Sequence, residues 1–358
     1  MTLLGALDNF YLTKGEQEQS PSRRDGITAA AERELRHYCA DVVAEAAVLL
    51  RLPQVVAATA QVLVQRFYCK RSLKKFDPKV VAMAAFWLAA KLEEVIEIDN
   101  PNRLTLRDVI RVVDRVTRRR EGKSLTVMDP YSQRYDVLKQ EAVQTERHML
   151  RAFGFVVHVE HPHRFILNYC QMVLFDTAKH AVSKEHQRAV QQEAWNMAND
   201  SLRTSLCVTY RAEAVACGII FTAARKLKIP LPENPPWWHL FEVEDEQVYD
   251  VCATLCELYS RPRPQPGAGA PPPAAAASSQ GAPAGGTPQA LELLAARPAA
   301  TTTGAAKTEA TIATAVVAED ALRSLWQLLQ HDVAAVRGHL PVASHIGRPM
   351  PHLQPGLS

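Results

Sequence analysis

The chain has 358 residues, which at roughly 100–200 residues per domain allows two or three domains. Hydrophobic residues make up 47%, enough for a sizeable core, and the formal net charge of +3 gives no bulk attraction to nucleic acid. Seven scattered cysteines without a CxxC point to free thiols in a reducing compartment and exclude a disulfide framework. No charged n-region precedes a long apolar run, and no stretch approaches roughly 18 uninterrupted apolar residues, so the expectation is a soluble intracellular protein.

The first 28 residues read as an arm, with Tyr11-Leu12 and their neighbours able to pack on the helices beyond it. From there the apolar spacing is helical over 35–50, 55–68, 80–92, 106–116, 137–153, 165–175, 189–202, 214–227 and 248–259. The breaks fit. Pro53 is expected just inside a helix start, and Asp77-Pro78 offers an N-cap followed by proline at the first helical position. Gly154 stands where a helix end wants a left-handed residue, and Pro230 and Pro232 close the run after Leu227. No alternating strand pattern is present, so the fold class is all-α. Composition changes at Pro262. Thirteen of the 23 prolines fall at or after it, and the Ala/Pro-rich segment 262–358 is expected to be disordered, with one helix near 319–339. That helix carries an apolar stripe, Leu322, Leu325, Leu329, Val333 and Val336, and is either a marginal isolated helix or a partner-docking one.

One internal repeat is informative. VAMAAFWLAAKL (81–92) and VACGIIFTAARK (215–226) superpose without gaps at an offset of 134 residues. Both are apolar all round, as a central helix surrounded by others must be, and Ala84, Ala85 and Gly218 would let neighbours approach closely. The offset is too long for a solenoid and suggests two copies of one helical domain.

Catalytic chemistry is hard to find. There is no phosphate-cradling GxxxxGK[ST], no GxGxxG before a helix, no HExxH and no GxSxG. His158, His161 and His163 cluster in HVEHPH, but with an intervening proline and no cysteine pair they read as a polar inter-domain linker, not a zinc site. The basic run 111–123 reads as a solvated helix end, with no interleaved aromatics to stack bases. Lys91 shares a face with the apolar Ala84 and Leu88, and Glu146 shares a stripe with Leu150. No catalytic residue, metal or cofactor is expected.

LAAKLEE (88–94) followed by ERHMLRAFGFVVHVEHPHRFI (146–166) resembles the first box of the cyclin family. LLRLPQVVAATAQVLVQRFY (49–68), WNMANDSLRTSLCV (195–208), IPLPENPPWWHLF (229–241), YLTK (11–14) and SRRDGI (22–27) are more particularly similar to cyclins of the L type. The resemblance covers about residues 10 to 260. It implies a tandem cyclin-box fold of two five-helix bundles, with an arm at 1–28, a first box at 29–157, a second at 158–261 and the tail beyond. It also implies a non-catalytic regulatory subunit that binds and activates a cyclin-dependent protein serine/threonine kinase as a heterodimer. In the family the cyclin pushes the kinase C-helix inward, completing the ion pair that holds the ATP phosphates. The implied setting is nuclear, in transcription and pre-mRNA splicing, reaching RNA polymerase II or splicing factors through the complex. No membrane or specific nucleic acid is expected as a partner.

By the same resemblance, Lys91 and Glu146 fall on the residues that bond backbone groups near the kinase C-helix. Leu150 and Phe155 fall on apolar contacts of that surface, and Glu94 is an additional contact. Arg36 matches an arginine that buttresses the first box from inside. Two departures stand out. Val42 replaces the tryptophan of a substrate-recruiting patch, and the tail lacks arginine/serine dipeptides. The link 94–110 is also longer than the family's usual one. The alternative is a cyclin-fold adaptor for nucleic acid, like a general transcription initiation factor of the IIB type. That reading calls for a basic aromatic face and often a zinc ribbon, and the ribbon is absent.

Overall fold

The computed structural model describes residues 10–95, 104–175, 183–231 and 235–261. The tail with its expected helix near 319–339, the first nine residues and part of the link 94–110 lie outside them. Among the described residues the structure is all-helical, with no β-strand. Two short arm helices, α1 (Lys14–Glu18) and α2 (Pro21–Arg24), precede α3 (Ala29–Leu49), α4 (Gln54–Lys70), α5 (Pro78–Leu92), α6 (Leu106–Arg120) and α7 (Gln133–Ala152). Then come α8 (Pro162–Phe175), α9 (Lys184–Ser201), α10 (Ala212–Lys226) and α11 (Asp245–Ser260). Short 3-10 turns at Leu206–Val208 and Trp237–Phe241 flank α10.

Local chemistry sets the helix ends. Thr28, Asp77, Ser132 and Ser183 each accept a backbone N–H at an N-cap, and Thr105 with Asp108 forms a reciprocal capping box. Pro53 is itself the cap of α4 and stands one position outside the helix. Gly154 takes φ +59° after α7, as the sequence requires. The backbone N–H of Phe155 then reaches the carbonyl of Leu150 at 2.9 Å, closing a Schellman turn.

The repeat is conformational as well as sequential. Helices α5 and α10 are both 15 residues long and lie 134 positions apart end for end. Each closes in the same Schellman motif. Val95 N–H bonds Ala90 O at 3.2 Å, and Ile229 N–H bonds Ala224 O at 2.9 Å. The left-handed residue is Glu94 in one copy (φ +53°) and Lys228 in the other (φ +58°). Neither is glycine, so each position stores conformational strain.

Two apolar clusters form the cores. The first gathers side chains of α3 to α7 around Val81, Phe86, Leu63, Phe67 and Met149, and takes in Phe10 of the arm. The second gathers Ile166, Val190, Met197, Ile219, Ile220, Val251 and Leu255. In the second bundle the 3-10 turn Trp237–Phe241 occupies the place of a fourth helix. Trp238 donates its indole N–H to Asp245 at 2.6 Å, and Phe241 stacks on Tyr169 at 3.6 Å.

Helix α4 is the partition between the bundles. Every residue from Val56 to Tyr68 is buried, because Leu63 and Phe67 face the first core while Ala58 and Val62 pack on Leu202 of the second bundle. The arm crosses the same seam. Phe10 lies edge-on to Phe153 and under the Arg66 guanidinium, Leu12 N–H bonds Val208 O at 2.8 Å, and Lys14 pairs with Asp250. Ser22 accepts the N–H of Leu73, returning the arm to the first bundle.

Gly218 of α10 is a close-approach position. A Cβ there would lie 2.6 Å from both Cβ and Cγ1 of Val251 in α11. Gly218→Ala should gain about 1 kcal/mol of helix propensity yet force α10 and α11 apart, for a net loss of about 1–3 kcal/mol. Urea denaturation of the full chain reads the sign directly; a gain in stability would contradict this packing.

Candidate functional site

Of the five residues assigned to the expected surface, the structure brings Lys91 and Glu146 into contact, and Glu94, Leu150 and Phe155 lie on or just beyond the ends of the same two helices. Helix α5 is apolar through Ala90, and Lys91 is the side chain where it emerges. Glu146 projects from α7, which packs beside α5, and the two form an ion pair. The pair is asymmetric. The Lys91 side chain is 40% exposed, whereas that of Glu146 is 9% exposed. Glu146 is therefore held in place by its surroundings, and Lys91 is the member free to turn to another acceptor. One turn further along α7, Leu150 is half-buried against the core. Phe155 follows at the end of the Schellman turn with φ +63° and is 70% exposed. A left-handed aromatic that stays in water carries cost on both counts. Glu94 is exposed two residues beyond α5, at the strained left-handed position of the turn that ends the helix.

Two neighbours were not singled out from the sequence. Trp87, one turn before Lys91, lies 5.5 Å under the ammonium; the i, i+4 spacing on α5 was the available signal. Glu93 accepts the Thr59 hydroxyl at 2.6 Å, which ties the end of α5 back to α4.

Arg36 is buried in α3. Its guanidinium bonds Glu32 at 2.8 Å and the Gln65 side-chain oxygen at 3.2 Å, joining α3 to α4. Val42 is fully buried. The basic run 111–123 is largely committed to structure: Arg118 reaches Thr126, and Arg119 and Arg120 pair with Glu45 of α3. Arg107, Arg111 and Arg115 lie exposed one turn apart along α6.

The segment that carries the histidines does join the two bundles, with His158 exposed and His163 buried, and among the described residues no group of three or more potential ligands gathers for a metal. Pro162 begins α8, and His161 lies 2.9 Å from the Thr59 hydroxyl. That hydroxyl spends its proton on Glu93, so His161 must donate from Nε2, which leaves Nδ1 bare. Nδ1 is buried without a partner. Burial, and then the charges of His163 and Arg66, push the His161 imidazole down to about 4. His163 bonds Asn199 at 2.8 Å. Burial also pushes the thiols of Cys170, Cys207 and Cys252 up to about 12, so they pack as protonated apolar groups.

Residues 8–158 match the family model described as the cyclin N-terminal domain. Cyclin-L1-1 of Arabidopsis thaliana is 49% identical over 260 residues, covering 73% of this chain and 58% of that protein. The chain is a cyclin-L-like cyclin. Cyclin-L1 of Homo sapiens is 37% identical over 258 residues, covering 72% of this cyclin and 46% of its own length. The chain spans about half the length of the curated relatives it matches. In fold, the cyclin is similar to a chain in the crystal structure of the yeast RNA polymerase II CTD kinase complex. The TM-score is 0.55 at 16% identity, over 70% of this chain and 72% of that one.

Two outcomes are expected from this geometry. Between pH 6.5 and about 4 the unfolded chain takes up a proton at His161 that the folded chain refuses, so stability falls as pH drops through that window. His161→Gln should flatten this acid limb by up to about 1.4 kcal/mol per pH unit, read as urea midpoint against pH; an unchanged slope would mean His161 is not held neutral. Glu94→Gly should raise stability by up to about 1 kcal/mol by relieving the left-handed strain, and thermal unfolding of the variant checks it.

Proposed function

We propose that this cyclin-L-like chain is the non-catalytic activating subunit of a cyclin-dependent protein kinase, working in the nucleus in transcription and pre-mRNA splicing. The surface at the end of α5 and α7 carries the reading. A lysine and a glutamate fixed side by side offer one donor and one acceptor to backbone groups of a partner helix, with the exposed Phe155 and half-buried Leu150 beside them as apolar contacts. Glu94 extends the acidic side. The strain at Glu94 and Phe155 is what a preorganised contact surface would carry. Such a subunit performs no chemistry. It binds the active kinase conformation more tightly than the inactive one and shifts the population by that difference. The transcription and splicing setting is what the resemblance to L-type cyclins implies, and the fold neighbour belongs to an RNA polymerase II CTD kinase complex. The adaptor alternative is weaker, since it calls for aromatic contacts on a basic face and the basic run 111–123 holds no aromatic residue, with Arg119 and Arg120 paired to Glu45.

Because Lys91 and Glu146 pair with each other, a single charge reversal disturbs fold and surface together. The double variant Lys91→Glu, Glu146→Lys restores an ion pair while exchanging donor and acceptor. It should unfold at a midpoint closer to wild type than either single reversal does, and lose at least about tenfold in affinity for its kinase and in kinase activation. The measurement is titration of purified cyclin-dependent kinases of the transcriptional class with wild-type and double-variant full chain. Equal activation by both would place the kinase contact elsewhere.

A further inference from the structure

A cavity of about 260 Å³ lies where the arm, α3, α4 and the second bundle meet. It is far from uniform in charge. Arg23, Arg33, Arg36, Arg203 and Arg261 line it, against the carboxylates of Glu32 and Glu257. Each of those carboxylates is shared between two guanidiniums. Glu32 takes Arg36 at 2.8 Å and Arg23 at 3.2 Å, and Glu257 takes Arg33 at 3.0 Å and Arg261 at 2.5 Å. Arg203 leans on Asp41 at 2.9 Å, and Asp41 also faces Arg120 at 3.6 Å. Positive charge is therefore in excess, and donor capacity is left over. Arg36 is nine-tenths buried, and its Nε has no acceptor. The cyclin-dependent kinase surface does not use these residues, since Lys91, Glu146 and Phe155 are absent from the lining.

We propose that this inter-bundle cleft is a binding site for a phosphoryl group, held by Arg33, Arg203 and Arg261 with the buried Arg36 behind them. Guanidinium forks match the oxygens of a phosphoryl group two at a time, and a dianion satisfies several arginines that one carboxylate cannot. The volume equals that of roughly nine water molecules, so it takes a phosphoryl group with the stem of the side chain that bears it. Residues from three separated segments converge on the anion, two arginines from α3 and one each from beyond α9 and α11, so its binding would clamp the first and second bundles together. The phosphoryl group can arrive as free phosphate or on a phosphorylated side chain.

His37, which lines the same cavity, supplies a local probe. Burial, then Arg261 and Arg203, push its imidazole down to about 4; Asp41 opposes them and Arg33 adds to them. An anion among these arginines offsets their charge and moves the His37 titration upward.

The test uses the full chain with inorganic phosphate, O-phosphoserine, serine and acetate as probes. Phosphate and O-phosphoserine are expected to raise the melting temperature and to shift the His37 ring resonances upward in pH, with serine and acetate doing neither. Tighter binding of O-phosphoserine than of phosphate marks a modified side chain as the source, and the reverse marks the free ion; both support the site. Arg33→Gln and Arg261→Gln should each weaken phosphate binding about tenfold. Both arginines are partly exposed and pair at this cavity with Glu257 alone, so the fold should survive their loss. Arg107→Gln, on the exposed face of α6, is the control for bulk charge and should change nothing. The proposal is overturned if acetate acts as well as phosphate, if Arg107→Gln weakens binding as much as the cavity variants do, or if those variants bind phosphate like wild type.

Discussion

Helix α4 is buried along its whole middle, yet it carries Thr59, Gln61, Gln65 and Arg66. A helix with polar side chains and no face in water must find each of them a partner, or the fold bears the cost of desolvating them. It does so by bonding outward in every direction. Gln61 donates to Ala40 O at 3.0 Å in α3, Gln65 takes Arg36, and Thr59 reaches Glu93 at the end of α5. Arg66 donates to His158 O at 2.7 Å on the way into the second bundle, and its guanidinium covers Phe10 of the arm. These obligations fix how α3, α5, the inter-bundle segment and the arm are placed around one helix. The end of α5, with Lys91 on it, inherits its position from the Glu93–Thr59 bond.

Around this partition the two bundles divide their roles. The first presents an end where an apolar helix runs out, a charged pair stands in place and an aromatic side chain remains in water. The second supplies an aromatic closure, with Trp237, Trp238 and Phe241 replacing a full helix by a packed turn. The matching Schellman ends of α5 and α10 carry opposite charges at the left-handed position, Glu94 and Lys228. The same backbone device thus presents different chemistry in the two copies; where Lys91 of α5 pairs with Glu146 of α7, the end of α10 pairs Lys226 with Glu193 of α9.

Much of the fold was legible because its signals were local. Proline, Asp and Gly at helix ends, and the 81–92 and 215–226 repeat, are written in neighbouring residues. Helix α4 was not legible as a central element. Its Gln61, Gln65 and Arg66 make it look amphipathic, and only the second bundle shows where those polar groups go. The partners of the linker histidines were not legible for the same reason: a polar run between bundles does not show that Thr59 and Asn199 reach His161 and His163 from elsewhere in the chain. Lys91 and Glu146 stood out by sharing helix faces with apolar residues, but their direct pairing, 55 positions apart, needed the packing of α5 on α7. The arginine-lined cleft left no sequence signal, because it draws Arg23 from the arm, Arg33 and Arg36 from α3, Arg203 from beyond α9 and Arg261 from beyond α11.

The arm's attachment across the seam has a temporal side. Lys14 is joined to Asp250, 236 residues later in the chain. At ribosomal speeds of about 5–20 residues per second, the anchor for that lysine emerges after it by roughly ten seconds to most of a minute. During that interval the first bundle can assemble while the arm lacks its partners in the second. Phe10 has a place on Phe153 and Arg66 early, but Leu12 and Lys14 must wait. The stretch around Leu12 and Lys14, made early, is therefore among the last to be secured, and a polypeptide halted before Val208 would leave it undocked between Phe10 and Ser22 and open to chaperones or proteases.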